Sequence, residues 1–297
     1  IVKGEYIVNT DGGLFRLCSG TMATPDIHGF GPTFLSTGES NVNAMTHAIN
    51  PIAPANPSDQ TRVKPALGKF SGENAVPLTK AAYPGKTVII LGEDAGNGQV
   101  YLYVSNTVGD LDNGKLYVLR RVDQNQIETA ITWNNNYNVE FVEVPNAKNL
   151  TGAEIESLNA SLKSIVFARV EDLDYRKGSA ANNREIYFVA TGVSGSTEKT
   201  YMGRVYQLKL DPTDPLKGVL KIVADGDVSP TGANVKGTDI INPDNVCATE
   251  NFLYIQEDGD SFWPEATHNS LIWQYDMRTG TKKVFMDMTH RDAAVQG

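Results

Sequence analysis

A chain of 297 residues, 40% of them hydrophobic and 21% charged, is built for a sizeable packed core and not for disorder. Lysine and arginine total 26 against 35 acidic residues, a formal charge of −9. This balance argues against a nucleic-acid binder, because no net positive field exists to neutralise phosphates, and it suits a protein that holds cations.

The opening residues, IVKGEYIVNTDGG, read as a strand and a turn. They lack the basic start and apolar core of a signal peptide, so the expectation is a mature form, a cleaved product or a fragment. No apolar run is long enough to cross a bilayer. Next comes CSGTMATPDIHGFGPTFLSTGES, a Gly-, Thr- and Pro-rich stretch from Cys18 through a short strand to Glu39. Residues 50–68 form a polar, Pro-rich excursion. VYLYVSN, the turn DLDNG and KLYVLRR then predict a hairpin. NAKNLTGAEIESLNASLKSI, from Asn146, has apolar residues at near-helical spacing and predicts an inserted helix or two. EIYFVATG and GRVYQLKL form another strand pair, closed by DPTDP. NFLYIQEDGD, SLIWQYDMRTG and KKVFMDM end the chain in the same rhythm.

This loose recurrence of aromatic-rich strand pairs is how the blades of a β-propeller read. The expectation is an all-β propeller over 1–297 as one domain, with a short helical insertion; a two-sheet sandwich is the rival. Trp263, Trp273 and Tyr275 are expected to fill spaces between blades. Cys18 and Cys247 allow one bridge but no disulfide framework.

Acids gather at strand ends: Glu39, Glu73, Glu93, Asp94, Glu171, Asp172, Asp244, Glu257 and Asp258. A hard cation such as calcium takes six to eight oxygens, and a propeller brings distant strand ends to one axis. Acids beside glycine are also common turn residues, so spacing alone leaves both readings open. There is no HExxH pair, EF-hand loop, phosphate-cradling GxxxxGK(S/T) or GxSxG elbow. His28, His47, His268 and His290 show no paired zinc spacing. Any chemistry therefore rests on carboxylates, an arginine and the thiol.

The stretch LCSG, Thr24-Pro25 and GPTFLSTGES resembles the PhoX family of bacterial alkaline phosphatases. LGKFSGENA, IILGEDAGNGQVYLYVSN, FARVEDLDYRKGSAANNREIYFVATG and INPDNVCATENFLYIQEDGD resemble its later signatures, in family order. The resemblance implies a six-bladed propeller in the complete protein and a cluster of ferric iron and calcium at one end of its axis. It implies Cys18 as a catalytic iron ligand and Arg169 as the catalytic arginine that contacts phosphate. Glu39, Glu73 and Glu171 match calcium or other metal ligands, and Asp94, Glu257 and Asp258 join them as candidates. Asn245 is a candidate substrate contact. The resemblance further implies a small phosphate ester as substrate, a missing N-terminal part of the propeller as partner, and a periplasmic or extracellular location.

The chain departs from the pattern in places. Gly38 precedes Glu39 where the family pairs glutamates. Gly72 replaces a histidine beside Glu73, Leu17 precedes Cys18, Val170 separates Arg169 from Glu171, and Phe34 stands for a tryptophan. Fewer carboxylates mean fewer or weaker calcium sites. The expected activity is a metal-dependent phosphomonoesterase. The alternatives are a calcium-stabilised propeller with a binding or structural role, and a calcium-dependent hydrolase or lactonase.

Overall fold

The computed structural model describes residues 16–54, 61–258 and 265–288. The opening segment and Trp263 lie outside the described residues. Among the described residues there are sixteen strands and two α-helices, so the all-β expectation holds. The first sheet has the order β1 (Arg16–Ala23), β2 (Thr33–Glu39), β3 (Thr46–Ile49), with the short α1 (Pro25–His28) between β1 and β2.

A meander follows: β4 (Gly72–Pro77), β5 (Thr87–Glu93), β6 (Val100–Ser105) and β7 (Lys115–Arg121). After β8 (Tyr137–Glu143) comes a second meander of β9 (Val170–Tyr175), β10 (Glu185–Ala190), β11 (Arg204–Leu210) and β12 (Lys217–Asp225). The last is β13 (Pro243–Ala248), β14 (Phe252–Glu257), β15 (Leu271–Asp276) and β16 (Thr281–Asp287).

The last three of these four units contain the strand pairs read from the sequence. One connection differs from separate blades. β8 pairs with both β7 and β12, so the two middle meanders form one nine-stranded sheet, folded back on itself.

Apolar cores lie between consecutive units. Leu35 of β2 packs with Ile89, Leu91, Tyr101 and Tyr103 of the second unit. On the other face, Ile90 and Leu102 meet Leu173, Phe188, Tyr206 and Leu220 of the third. Val189 and Val205 meet Val246, Leu253, Ile255 and Tyr275 of the fourth. A strand covered on both faces is apolar through its middle, and β5 and β10, buried at every position, are polar only at their ends. Tyr275 fills such a space, as expected of a large ring.

The helical insertion is α2 (Gly152–Ser161), preceded by a short 3-10 turn at Ala147–Asn149. Thr151 and Glu154 form a capping box, which starts the helix after the loop. Its Ile155 is buried in the core between the first two units.

In each unit the first strand is the sheet edge. These edge strands pack in series, β1 against β4, β4 against β9 and β9 against β13. The arc they form is where the candidate site lies.

Candidate functional site

Each of the four edge strands carries one extra residue at an equivalent point. In β1 the pairing runs Leu17 with Gly38, then Gly20 with Ser36, leaving Cys18 and Ser19 opposite one residue. In β4 it runs Gly72 with Glu93, then Ala75 with Leu91, bulging Glu73 and Asn74. In β9 Val170 pairs with Ala190 and Leu173 with Phe188, bulging Glu171 and Asp172. In β13 Pro243 pairs with Glu257 and Asn245 with Gln256, bulging Asp244. A bulge breaks the two-residue alternation and re-aims side chains, which is why bulges cluster beside active sites. Cys18, Glu73, Glu171 and Asp244 thus occupy the same position in successive edge strands.

The residues after them stitch the strands together. Thr21 Oγ1 donates to Asn74 Oδ1 at 3.0 Å, and Asn74 Nδ2 donates to Asp172 Oδ1 at 2.7 Å. The Val246 N–H donates to Asp172 Oδ2 at 3.0 Å. This belt ties β1 to β4, β9 and β13. Burial still holds the Asp172 carboxyl up at about 6, against the lowering effect of its Val246 and Asn74 bonds.

Glu39, Glu73 and Asp94 each offer an oxygen within 4.8 Å of the others. Glu39 and Glu73 are buried, and Asp94 is half-buried at the exit of β5. The close approach depends on Gly72. A Cβ there would lie 2.0 Å from Thr37 Cγ2, so β4 rests directly on β2 and no side chain fits between them. Ser19 Oγ donates to Glu73 Oε1 at 2.7 Å, and Arg16 pairs with Glu39 through Nε at 2.9 Å.

Arg169 stands at the lip of the cluster. Its Nε donates to Asp94 Oδ1 at 2.9 Å and its Nη2 pairs with Glu171. Its backbone sits at φ +65°, uncommon for a side-chain-bearing residue. Neighbours on both sides hold that conformation. The Arg169 N–H donates to Ala95 O at 3.1 Å, and the Thr191 N–H donates to Arg169 O at 2.9 Å. The Ala168 N–H donates to the buried Glu128 at 3.1 Å. Burial first, then the charge of Asp94, pushes the Glu171 carboxyl well above the usual carboxylate range, against the pull of Arg169. Burial and then Asp258 hold Asp244 up at about 6. Arg169 on Asp94 and Glu171, with Arg16 on Glu39, compensates negative charge this dense and this deep only in part.

The candidates read from sequence separate into groups. Glu39, Glu73, Asp94, Arg169 and Glu171 come together. Asn245 lies beside them, bonded through its Nδ2 to Asp244, and Asp258 is exposed nearby. Cys18 falls on the β1 bulge; its side chain lies outside the described residues. Cys247 is an exposed free thiol on β13.

Glu257 has a different job from the metal ligand expected. Its carboxylate accepts from the N–H groups of Ile241 and Leu271 and from Trp273 Nε1, each at 2.8 Å, and meets His268 Nε2 at 3.1 Å. These protein donors fill it, and it ties the ends of the last sheet together.

The belt was the feature that sequence reading missed. Its signal is two consecutive polar residues where a strand should alternate: Cys18-Ser19, Glu73-Asn74, Glu171-Asp172 and Asp244-Asn245.

The family model for alkaline phosphatase PhoX matches residues 41–290. The structure of Pseudomonas fluorescens PhoX in complex with vanadate, a transition state analogue, superposes with a TM-score of 0.64 at 16% identity. The match covers 92% of this chain and 61% of that one, so this chain spans about three-fifths of that protein's length. No curated protein matches the chain. With a propeller-type fold and a family match over most of its length, the chain belongs to the PhoX alkaline phosphatase family.

Proposed function

We propose that the protein is a metal-dependent phosphomonoesterase. One observation carries the reading: buried carboxylates and the half-exposed Arg169 gather where bulged edge strands meet, in a chain of this family. The donor set near Arg169 fits a hard divalent cation, because three carboxylate oxygens lie within 4.8 Å of one another. Glu39, Glu73, Asp94 and Glu171 are the residues that would hold calcium. Cys18, on the β1 bulge, is the candidate thiolate for iron, a softer partner than calcium accepts. Such ions supply charge neutralisation at a phosphoryl group.

The chain's own part is positioning. The Arg169 side chain is 36% exposed, so a ligand can reach it. Its Nε and Nη2 are engaged by carboxylates, while Nη1 makes no hydrogen bond to a described residue. With Nε and Nη2 held by Asp94 and Glu171, the two N–H bonds of Nη1 are the donors left for phosphate oxygens. Asn245 and Asp244 flank the same mouth and are candidates for contacts to the ester. The role is proposed for a periplasmic or extracellular protein acting with the remainder of its propeller. Among the described residues no helix is long and apolar enough to cross a membrane.

The test is hydrolysis of a chromogenic phosphate monoester with calcium and iron supplied, and its inhibition by vanadate. Turnover that disappears on chelation and in Arg169→Ala supports the reading. Hydrolysis of a lactone or carboxylic ester, with none of the phosphate, overturns the substrate class.

A further inference from the structure

Glu128 is a fully buried carboxylate outside the acid cluster. It opens the short 3-10 turn Glu128–Ala130, in the link between β7 and β8. That link reaches from the second unit to the third. The Val166 N–H donates to Gln126 O at 2.9 Å, and Ile127 bridges Val166 in parallel. Just beyond, Glu128 Oε2 accepts from the Ala168 N–H and from the Thr200 N–H, each at 3.1 Å. Oε1 lies 2.9 Å from the Tyr206 hydroxyl. Arg204 brings the nearby positive charge, and its Nη1 donates to Glu128 O and Ile131 O at 3.1 Å each. A carboxylate this deep is tolerated only with such donors and a countercharge around it.

These bonds hold the backbone that seats Arg169. Its φ of +65° persists only where neighbours over-determine it. All four backbone polar groups of Ala168 and Arg169 are bonded. The Arg169 N–H donates to Ala95 O at 3.1 Å, the Gly192 N–H to Ala168 O at 3.0 Å and the Thr191 N–H to Arg169 O at 2.9 Å. Those three partners are main chain. The Ala168 N–H alone ends on a side chain, so Glu128 is where the sequence decides this geometry. The second N–H on Oε2 widens the clamp. Thr200 follows Lys199, whose Nζ donates to Asn97 Oδ1 at 2.7 Å, and the same 94–98 turn carries the Ala95 carbonyl that holds Arg169.

We propose that Glu128 is a positioning residue for Arg169: one carboxylate oxygen, bonded to two backbone N–H groups, fixes the Ala168–Arg169 segment so that the guanidinium faces Asp94, Glu171 and the ligand. This role rests on the phosphatase reading, in which Arg169 meets the phosphate. Being fully buried, Glu128 touches no ligand itself, and among the described residues it hydrogen-bonds none of the cluster's acids. The place of its oxygen matters more than its charge.

The test compares two conservative variants. Glu128→Gln keeps an oxygen for both N–H groups and discards the charge. Glu128→Asp keeps the charge and withdraws the oxygen by one methylene. Hydrolysis of a chromogenic phosphate ester should fall about tenfold in Glu128→Asp, as a sub-ångström misplacement implies, and stay within about threefold of wild type in Glu128→Gln. Glu128→Gln should nevertheless melt lower, because Arg204 loses its countercharge, so turnover and stability part company. In an Arg169→Ala background the aspartate change should cost almost nothing, because the group it positions is gone. Hydrogen–deuterium exchange of residues 166–171 reads the clamp without turnover. It should quicken in Glu128→Asp and match wild type in Glu128→Gln, with β14 and β15 unchanged in both. A wild type that hydrolyses no phosphate ester removes the phosphatase reading, and the exchange then decides whether Glu128 holds this backbone. Unchanged exchange in Glu128→Asp overturns the proposal. So does an equal loss of turnover in Glu128→Asp with and without Arg169, or a Glu128→Gln protein that loses as much as the aspartate.

Discussion

Glu73 and Glu257 are both buried glutamates near strand ends, and they are surrounded by opposite things. Around Glu257 stand two backbone N–H groups, an indole and an imidazole, so the protein itself satisfies the charge. Around Glu73 stand Glu39 and Asp94, with Glu171 close enough for its charge to register. A buried carboxylate encircled by donors is a strut. One crowded by other carboxylates, as Glu73 is despite its Ser19 donor, has the surroundings a cation would answer. What sets Glu73 apart is the edge-strand bulge, which places Glu73 and Glu171 at equivalent points of adjacent strands.

The difference is broken most severely at Arg169. Arg169→Ala should cost about 10²–10³ in turnover, the usual loss for one charged donor aimed at a reacting group. Arg169→Lys should recover little, because an ammonium cannot span Asp94, Glu171 and a ligand with one planar fork. Steady-state kinetics on folded protein checks both. Recovery to wild-type rates in the lysine variant would show that only the charge matters.

The strut should fail in the other currency, stability. Glu257→Leu leaves the Ile241 and Leu271 N–H groups and the Trp273 indole without an acceptor, at a cost of about 3 kcal/mol. Denaturant unfolding measures this. An unchanged midpoint would mean that solvent reaches those donors.

The belt sits between the two cases, because it is structural yet lies under the site. Asp172→Leu removes the acceptor for Asn74 and Val246 and should cost about 2 kcal/mol. It should also slow turnover, since β4, β9 and β13 lose their common tie. Loss of stability with unaltered kinetics would separate belt from site.

The smallest effect is a control outside both regions. Burial first, then Lys177, holds the buried His28 ring down at about 4 from an ordinary 6.5. Between those values the unfolded chain takes up a proton and the folded one does not. Stability therefore falls as pH drops from about 6.5 toward about 4, by about 1–2 kcal/mol after solvent screening. His28→Gln should flatten that slope in unfolding curves taken across the window. A slope identical to wild type would place the proton uptake elsewhere.

Much of this was legible in the residues. The aromatic strand pairs are β6–β7, β10–β11 and β14–β15–β16, and the helical insertion starts at its capping box. Family signatures located Glu73, Arg169 and Glu171. The hydrogen bonds of Glu257 were not legible, because two of its donors are backbone N–H groups that any residue would offer. Gly72 read as a lost ligand, whereas in space it is the gap that lets β4 rest on Thr37. The joining of two meanders through β8 depends on a long-range pairing of Lys217–Leu220 with Tyr137–Glu140 that no local pattern announces.

The central claim is that the bulged acids form a cation site and Glu257 does not. The direct measurement is the melting temperature of wild type, Glu73→Gln and Glu257→Gln during calcium titration from a chelated start. Binding to the folded form alone stabilises by about 2.7 kcal/mol at a hundred times the dissociation constant. Wild type should rise with calcium, Glu73→Gln should stay nearly flat, and Glu257→Gln should start lower and rise in parallel with wild type. A Glu73→Gln curve that rises like wild type, or a Glu257→Gln curve that alone stays flat, would contradict the account.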